Sequence, residues 1–442
     1  MPANPLGPTG LLAQSMTLPA GSQSLAMGGM KMRAQGMDGR KPGVSRNWLA
    51  ILGNGTANGG AGIAVDASGS VYVAGASDSQ TLLAKFSASA LPQWVNLFSP
   101  AVTYTPSSTE STTVSLTLDP TGAPYFAGSN SSNEIISAKF SAAGSVQWQR
   151  TADGSGGFDR AYYVAVAASG NVYTGALINA MGYAGDRCAL LKYNSAGSLQ
   201  WTRHIDNSQQ LIGVCLDASE NAYVCGSLNG YIAKINSAGV VQWQRVITGF
   251  SCLGVALVGS NFYVVGTDGG SGAILVAYDT SGTYQWSQVL GSSGTNRFNA
   301  VAVDAAGSIY VCGSTTQQGA GASDVLLAKY TSAGVLVWQR TLGAAGNDYG
   351  CGIATFGTDV YLTGQTSLGA GSGDVLVGCI PADGSLTGLI GGLRYAPSTL
   401  ASAAWSHSDA ASGAANKTIS PTDTAAGFTT SAAALASTVS RF

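Results

Sequence analysis

The sequence has little charge and few of the side chains on which enzymes rely. Only 10% of its 442 residues are charged, the net charge is −2, and there are two histidines. A nucleic-acid-binding protein normally presents a basic face, so this composition argues against nucleic acid as a partner. The longest apolar runs are a handful of residues, far below the ~20 needed to span a bilayer, so we expect no membrane insertion.

Motifs that carry chemistry are also missing. The sequence has no GxSxG nucleophile elbow, no HExxH zinc motif, no P-loop and no CxxC pair. The two histidines, His204 and His407, are not accompanied by a nucleophile motif, and the carboxylates in loops are best explained as turn residues. We therefore expect a non-enzymatic protein with no catalytic residues, no cofactor and no metal site.

The seven cysteines are interpreted as buried free thiols. Cys225 and Cys312 occupy one slot of a repeated octet, where other copies have Ala74, Ala127 or Val265. A residue that alternates with Ala and Val acts as a small core filler. Free thiols suit synthesis in a reducing compartment, and residues 1–23 have neither the basic start nor the apolar core of a secretory signal, so export by that route is not expected.

What the sequence does have is a repeat. An octet centred on tyrosine occurs seven times: GSVYVAGA from Gly69, GAPYFAGS from Gly122, GNVYTGAL from Gly170, ENAYVCGS from Glu220, SNFYVVGT from Ser260, GSIYVCGS from Gly307 and TDVYLTGQ from Thr358. An alternating apolar segment precedes each octet across a short turn, often with the spacing D-x-x-G, so the pair predicts a β-hairpin.

Two further strand-like segments complete each unit. The third often contains the pattern aK[FY], as in LLAKF and LLAKY, and the fourth contains tryptophan, as in QWQR and VWQR. The Lys and Arg residues at fixed slots of these strands are expected to decorate the outer strands, and the recurring Asp residues to form turns. Four short strands in units of ~40–55 residues are typical of a β-propeller blade.

The seventh unit lacks its own tryptophan strand, and the missing copy stands at the other end of the chain. The segment NWLAILGNG, with Trp48, precedes the first unit and matches VWQRTLGAAGN around Trp338. The sequence therefore predicts an all-β, seven-bladed β-propeller of four-stranded blades over residues 48–388, closed by the Trp48 strand as the outer strand of the last blade. Such closure removes an open sheet edge.

These units resemble the bacterial β-propeller repeats known as SBBP repeats, whose pattern is close to DxxGxxYvxG followed by aK[FY]xxxGxxxW. The resemblance covers about residues 48–388, and the third unit departs from it by reading VYTGAL where others have YVAG. It implies a propeller fold. Because such repeats occur in bacterial surface and secreted proteins and in phage-encoded proteins, it also implies a binding or scaffold module.

Long, variable loops between blades, and between the second and third strands of a blade, share one face of a propeller. Rigid scaffolds usually place recognition residues on such loops. We therefore predict ligand or partner binding, to a sugar or a protein surface, by aromatic and polar residues at this face: Tyr104, Phe158, Asp159, Arg160, Tyr183, Arg297, Phe298, Asn299, Asp348 and Tyr349.

The flanks differ in composition from the repeats. Residues 1–47 hold six of the seven methionines and are rich in Gly, Pro and Ser. They are either a disordered leader or an assembly arm that packs through the flexible side chains of Met27, Met30, Met32 and Met37. Residues 389–442 are rich in Ala, Ser and Thr, and are either a linker or a second irregular arm.

These features lead to one functional hypothesis and two alternatives. The first is a phage virion component, on the tail or capsid, whose arms dock it to other virion proteins or to further copies of itself. Its loops would then recognise a host surface glycan or protein. The alternatives are a bacterial surface or secreted propeller that binds glycan or protein, and a propeller hydrolase that uses loop carboxylates.

Overall fold

The computed structural model describes most of the repeat region and short pieces of both flanks. The described residues are 22–25, 47–53, 58–77, 80–99, 114–130, 132–153, 159–178, 187–205, 210–227, 230–368, 373–390, 392–404, 406, 409–411, 416–418, 422–425, 429–432 and 437–441. All of their regular structure is β-strand, and no helix among them is long and apolar enough to cross a bilayer.

Strands β3 to β29 form seven antiparallel sheets in chain order. Blades 1 and 2 comprise β3 (Asn58–Val65), β4 (Val71–Ser77), β5 (Gln80–Phe86), β6 (Pro92–Ser99), β7 (Ser115–Leu118), β8 (Pro124–Ser129), β9 (Ile135–Phe140) and β10 (Val146–Asp153). Blades 3 and 4 comprise β11 (Arg160–Val166), β12 (Val172–Ile178), β13 (Arg187–Tyr193), β14 (Leu199–Ile205), β15 (Leu211–Leu216), β16 (Ala222–Gly226), β17 (Tyr231–Ile235) and β18 (Val241–Ile247). Blades 5 to 7 comprise β19 (Ser251–Val258), β20 (Asn261–Thr267), β21 (Ala273–Asp279), β22 (Tyr284–Leu290), β23 (Asn296–Val303), β24 (Ile309–Thr315), β25 (Asp324–Tyr330), β26 (Leu336–Gly343), β27 (Tyr349–Phe356), β28 (Asp359–Thr366) and β29 (Asp374–Pro381).

Each octet is the second strand of its blade, as predicted, and this strand lies in the core. Every residue of β4 is buried, and the octet tyrosines Tyr72, Tyr125, Tyr173, Tyr223, Tyr263 and Tyr310 are at most 1% exposed. The first strands contact one another around the axis, and β3 meets β27, so the seven blades form a ring. The predicted seven-bladed propeller of four-stranded blades is confirmed.

Side chains of each fourth strand connect one blade to the next. In blade 2, Trp148 Nε1 donates to the Ser195 carbonyl oxygen at 3.0 Å, and Arg150 Nε donates to the Gly197 carbonyl oxygen at 2.7 Å. Both acceptors lie in the turn between the third and fourth strands of blade 3. The tryptophan bond recurs from blades 1, 3, 4, 5 and 6, and the arginine bond from blades 3, 4 and 6. The arginines expected to decorate the rim therefore join neighbouring blades.

This contact requires glycine in the accepting turn. Gly282 has a φ of 83°, and a Cβ there would lie 2.7 Å from Trp243 of the preceding blade. We expect Gly282→Ala to lower the free energy of unfolding by about 2–4 kcal/mol, because left-handed strain adds to a steric clash. Gly249→Ala is the matched control, since Gly249 has a φ of 74° with nothing within 4 Å of a Cβ. Equal losses in chemical denaturation of the two variants would show that the tryptophan contact is not constraining.

The ring closes as the sequence predicted. Strand β2 (Trp48–Leu52) pairs antiparallel with β29 of blade 7, with Trp48 opposite Cys379. Trp48 is 1% exposed and packs against Phe86 of blade 1, with ring centroids 6.0 Å apart. The N-terminal strand thus completes the last blade and contacts the first.

The C-terminal segment adds a strand to the rim of every blade. After the hairpin of β30 (Gly388–Ile390) and β31 (Leu393–Pro397), it continues as β32 (Ser402–Ala404), β33 (Asp409–Ala411), β34 (Asn416–Thr418), β35 (Thr422–Ala425), β36 (Thr429–Ala432) and β37 (Ser437–Arg441). Strands β31 to β37 pair in turn with the outer strands of blades 6, 5, 4, 3, 2, 1 and 7. We call β31 to β37 the C-terminal belt. Beyond it, β1 (Ser22–Leu25) pairs with β37.

The prediction for residues 389–442 was a linker or an irregular arm, and the belt differs from both. Its strands begin at residues 402, 409, 416, 422, 429 and 437, so short strands recur about once per blade. They pair with blades of the same chain. Docking of either flank to another subunit stays a prediction, and Met27, Met30, Met32 and Met37 lie outside the described residues.

The belt covers outer strands whose backbone groups would otherwise be open to other chains. We expect a chain shortened to end at Ser398 to keep its ring but to associate, because six blades regain unpaired edges. The measurement is light scattering during size-exclusion chromatography, at several concentrations. A chain shortened to begin at Asn47, which loses β1 but keeps the belt, is the control. If the belt-less chain elutes and melts like the full chain, the belt has no protective role.

Candidate functional site

The first strands bring two of the predicted residues, Asn299 and Tyr349, to the axis of the ring. The seven first strands line a central channel that contains a cavity of about 80 Å³. Most of the residues that line it are apolar, and polar side chains come from blades 2, 3, 6 and 7: Ser115, Tyr162, Tyr163, Asn299 and Tyr349. A concave, mostly apolar pocket with a few placed polar groups on a rigid frame is the usual form of a ligand site.

The predicted residues are less exposed than the loop argument assumed. Asp159, Phe298 and Asp348 are 0% exposed, and Arg297 is 7% exposed. Arg160, Asn299 and Tyr349 are half-buried. The assumption that these are exposed loop residues was wrong for the four buried ones. Their positions precede or open a first strand, so their side chains pack between blades. Tyr104, Phe158 and Tyr183 lie outside the described residues.

Phe298 and Asp348 have structural surroundings. Phe298 packs in the core shared by blades 5 and 6, with Val265 and Leu275. Asp348 accepts hydrogen bonds from the Ala344 amide at 2.7 Å and from the Thr366 hydroxyl. These contacts hold the loop between blades 6 and 7, so the Asp348 carboxylate serves the scaffold.

Asp324 holds the neighbouring loop of blade 6. Its carboxylate accepts the amides of Ala320 and Gly321, each at 3.0 Å. Burial raises the pKa of Asp324, and the nearby Asp348 adds to the rise, while the two amide bonds oppose it. Two buried carboxylates therefore hold the loop within blade 6 and the loop between blades 6 and 7.

Asn299 and Tyr349 contribute polar groups to the channel mouth between blades 6 and 7, and the buried Arg297 of β23 lies beside them. Asn299 Nδ2 donates to the Gly350 carbonyl oxygen at 2.8 Å, while Asn299 Oδ1 is buried without a hydrogen-bond partner. Arg297 Nε is also buried without one, and no described residue forms an ion pair with this guanidinium. Burial lowers the pKa of Arg297, and the Tyr349 phenol partly opposes this shift. Leaving such groups unsatisfied costs free energy, which makes this mouth the candidate site.

The opposite face carries charged clusters of aspartate, tyrosine and lysine. In blade 1, Lys85 Nζ lies 4.7 Å from the centre of the Tyr72 ring and 3.6 Å from Asp66 Oδ2. The same Asp–Tyr–Lys arrangement recurs in blades 2, 4 and 6. A cluster repeated in four blades is explained by the fold. The sequence argument placed these lysines on the rim, whereas they cover the octet tyrosines.

Blade 3 breaks this pattern and is repaired by blade 4. It has Lys192 and Tyr173, but Ala167 stands at the Asp slot. Glu220 of blade 4 supplies the carboxylate, with Lys192 Nζ at 3.1 Å and the Tyr173 hydroxyl at 3.1 Å from its Oε2. Glu220 has a φ of 59°, at the turn position where blades 1, 2, 3 and 6 have glycine.

The hydrogen bonds around Glu220 outweigh its burial. Burial alone would raise the pKa of this carboxyl, but donors including Ser169, Asn171 and Lys192 lower it from 4.5 to about 2. A carboxyl whose pKa is lower in the folded state stabilises the fold above its unfolded pKa. This contribution is present above pH 4.5 and disappears as the pH falls towards 2.

We expect Glu220→Gln to lower the free energy of unfolding at pH 7 by about 2 kcal/mol, because the charged acceptor of Lys192 is lost. The difference from the unmodified chain should shrink as the pH falls from 4.5 to 2, measured by denaturation over that range. The double change Glu220→Gly with Ala167→Asp restores the arrangement of the other blades and should recover the loss. If it does not, Glu220 is not a substitute for the missing Asp.

The cysteines and metal ligands add no site among the described residues. None of the seven cysteines is in a disulfide, and five are buried: Cys188, Cys225, Cys252, Cys312 and Cys379. Burial raises the pKa of the Cys225 and Cys312 thiols, so both favour the unreactive protonated form. Within the part of the chain that the structure describes, no three His, Cys, Asp or Glu residues are grouped to hold a metal ion.

Comparison with known proteins identifies the fold and no family. No protein-family model matches the chain, and no curated protein sequence does. A structure of streptogramin B lyase is 15% identical with a TM-score of 0.50, over 75% of this chain and 97% of that one. Virginiamycin B lyase from Staphylococcus aureus, substituted with selenomethionine, is 13% identical with a TM-score of 0.50, over 75% and 99%. Sqt1 from Saccharomyces cerevisiae is 12% identical with a TM-score of 0.44, over 75% and 98%.

At such identities the likeness concerns the fold alone. This chain is a seven-bladed β-propeller, similar in architecture to the two lyases. The similarity therefore gives no information on what the channel mouth or the blade-to-blade contacts do.

Proposed function

We propose that the chain is a non-enzymatic structural and binding protein of a phage particle, on its tail or capsid. Its propeller would display recognition loops, and its terminal flanks would dock it to other virion proteins or to further copies of itself. The resemblance of the units to SBBP repeats, which occur in phage-encoded proteins, is consistent with this role.

The observation that carries the proposal is the belt. A chain that pairs its own C-terminal strands with all seven rims has its blade edges covered without needing a disulfide. Covered edges limit unwanted strand pairing. Free, buried thiols suit a protein assembled in a reducing cytoplasm and released by lysis. Both properties fit a durable particle component.

The chemistry of the channel mouth supports binding more than catalysis. Asp348 and Asp324 accept backbone or hydroxyl hydrogen bonds that brace loops, so neither is available as a free acid or base. Arg297 and Asn299, in contrast, have polar atoms left over for a ligand. A catalytic site needs a nucleophile held close to a general base. A site that has hydrogen-bonding groups but no such pair is expected to recognise a ligand.

The test is whether the protein travels with particles. Antibodies against the ring would be used on gradient fractions of lysates from cells that carry the gene in its natural context. We expect the protein in the particle fraction, confirmed by mass spectrometry and by gold labelling in electron microscopy. Recovery only from the cell surface or the medium would instead support a bacterial surface or secreted propeller that binds glycan or protein.

A second measurement addresses the flanks. The full chain and a chain beginning at Asn47, which keeps the Trp48 closure, would be compared by light scattering and negative-stain imaging. A defined assembly of the full chain alone would support docking through the N-terminal flank. Identical particles from both chains would remove that part of the proposal.

A further inference from the structure

Asn299 is an exception within the repeat, and Arg297 is one of two arginines at its slot. The residue that precedes the partner of the octet's sixth position is Ala61, Val114, Tyr162, Ile212, Leu253, Asn299 or Cys351 in blades 1 to 7. Only blade 6 has an amide there. Two residues earlier, blade 6 has Arg297 and blade 3 has Arg160, where blade 1 has Gly59 and blade 5 has Ser251.

Arg297 and Asn299 lack a replacement partner of the kind seen in blade 3. Where blade 3 lacks its carboxylate, Glu220 replaces it and completes the cluster. At the channel mouth no described carboxylate reaches Arg297, and the buried Oδ1 of Asn299 accepts no hydrogen bond. A guanidinium always keeps its charge, so the missing partner is an anion.

The two groups face the same strand of blade 7. Asn299 Nδ2 is bonded to the Gly350 carbonyl, and Arg297 interacts electrostatically with Tyr349. Asn299 and Tyr349 both line the cavity of about 80 Å³. That volume admits a small polar group rather than a whole sugar chain.

We infer that the channel mouth between blades 6 and 7 binds a carboxylate with a nearby hydroxyl group. The carboxylate would accept hydrogen bonds from Arg297, and the hydroxyl would donate to Asn299 Oδ1. Uronic acid units of a glycan and small free hydroxy acids share this chemistry. A host glycan as the source rests on the proposed function, whereas the site itself does not.

Binding would be measured by calorimetry on the full chain with three probes: methyl glucuronide, lactate and methyl glucoside. We expect one or both acids to bind and the neutral glucoside to bind at least about tenfold more weakly, because it lacks the charge that Arg297 pairs with. Arg297→Gln should weaken acid binding by at least about tenfold. Arg394→Gln, which removes one exposed positive charge of β31, should leave it unchanged.

The probes separate the possible sources. Binding of the glucuronide supports a glycan end as ligand, and binding of lactate alone supports a free hydroxy acid at the same site. Failure of both acids, or equal binding of the glucoside, overturns the inference. None of these outcomes depends on particle association, so the site and the phage role can fail separately.

A stability measurement checks the missing partner directly. Without ligand, Arg297→Met should raise the melting temperature, because it removes a buried charge that has no anion. Arg340→Met is the contrast and should lower it, since Arg340 donates to the Gly384 and Gln339 carbonyls. A lower melting temperature for Arg297→Met would show that the folded chain already pairs this arginine, and would overturn the inference.

Discussion

The hydrogen bonds from the fourth strand of one blade to a turn of the next are the contacts on which the ring depends. Trp148 and Arg150 bind two carbonyls of a single turn, which fixes both the distance and the angle between blades. Because the same contact recurs around the ring, one local geometry sets the overall curvature. The turn glycines are part of this contact, since a side chain at Gly282 would collide with Trp243. The sequence repeats because the interface repeats.

A ring built from sheets leaves one outer edge for each blade, and the chain deals with these edges twice. Strand β2 completes blade 7 from the N-terminal side, so the ring is closed by strands from both ends of the repeat region. The belt then pairs with each outer strand through main-chain hydrogen bonds. Main-chain pairing makes few demands on side chains, which explains how a segment of Ala, Ser and Thr can fill this role.

The same reasoning explains which features could be predicted from the sequence. The octets and the Trp48 strand carry apolar periodicity and turn residues, so the blades and their closure were predictable. The belt carries neither signal, and its strands are only three to five residues long. Arg297 was selected as an exposed loop residue, but it lies in β23 and is buried. The loop argument selected Arg297 but could not predict its burial, because that burial depends on contacts with blade 7.

A repeat protein offers an internal control that a single domain lacks, since each blade shows what the scaffold needs. Ala167 departs from the pattern, and Glu220 restores the lost carboxylate at the cost of a left-handed backbone. That departure is compensated within the chain and needs no ligand to explain it. Asn299 departs from the pattern, and both Asn299 and the neighbouring Arg297 have polar atoms left unsatisfied. Burying such groups is unfavourable, so a partner outside the described chain accounts for them better than the fold does.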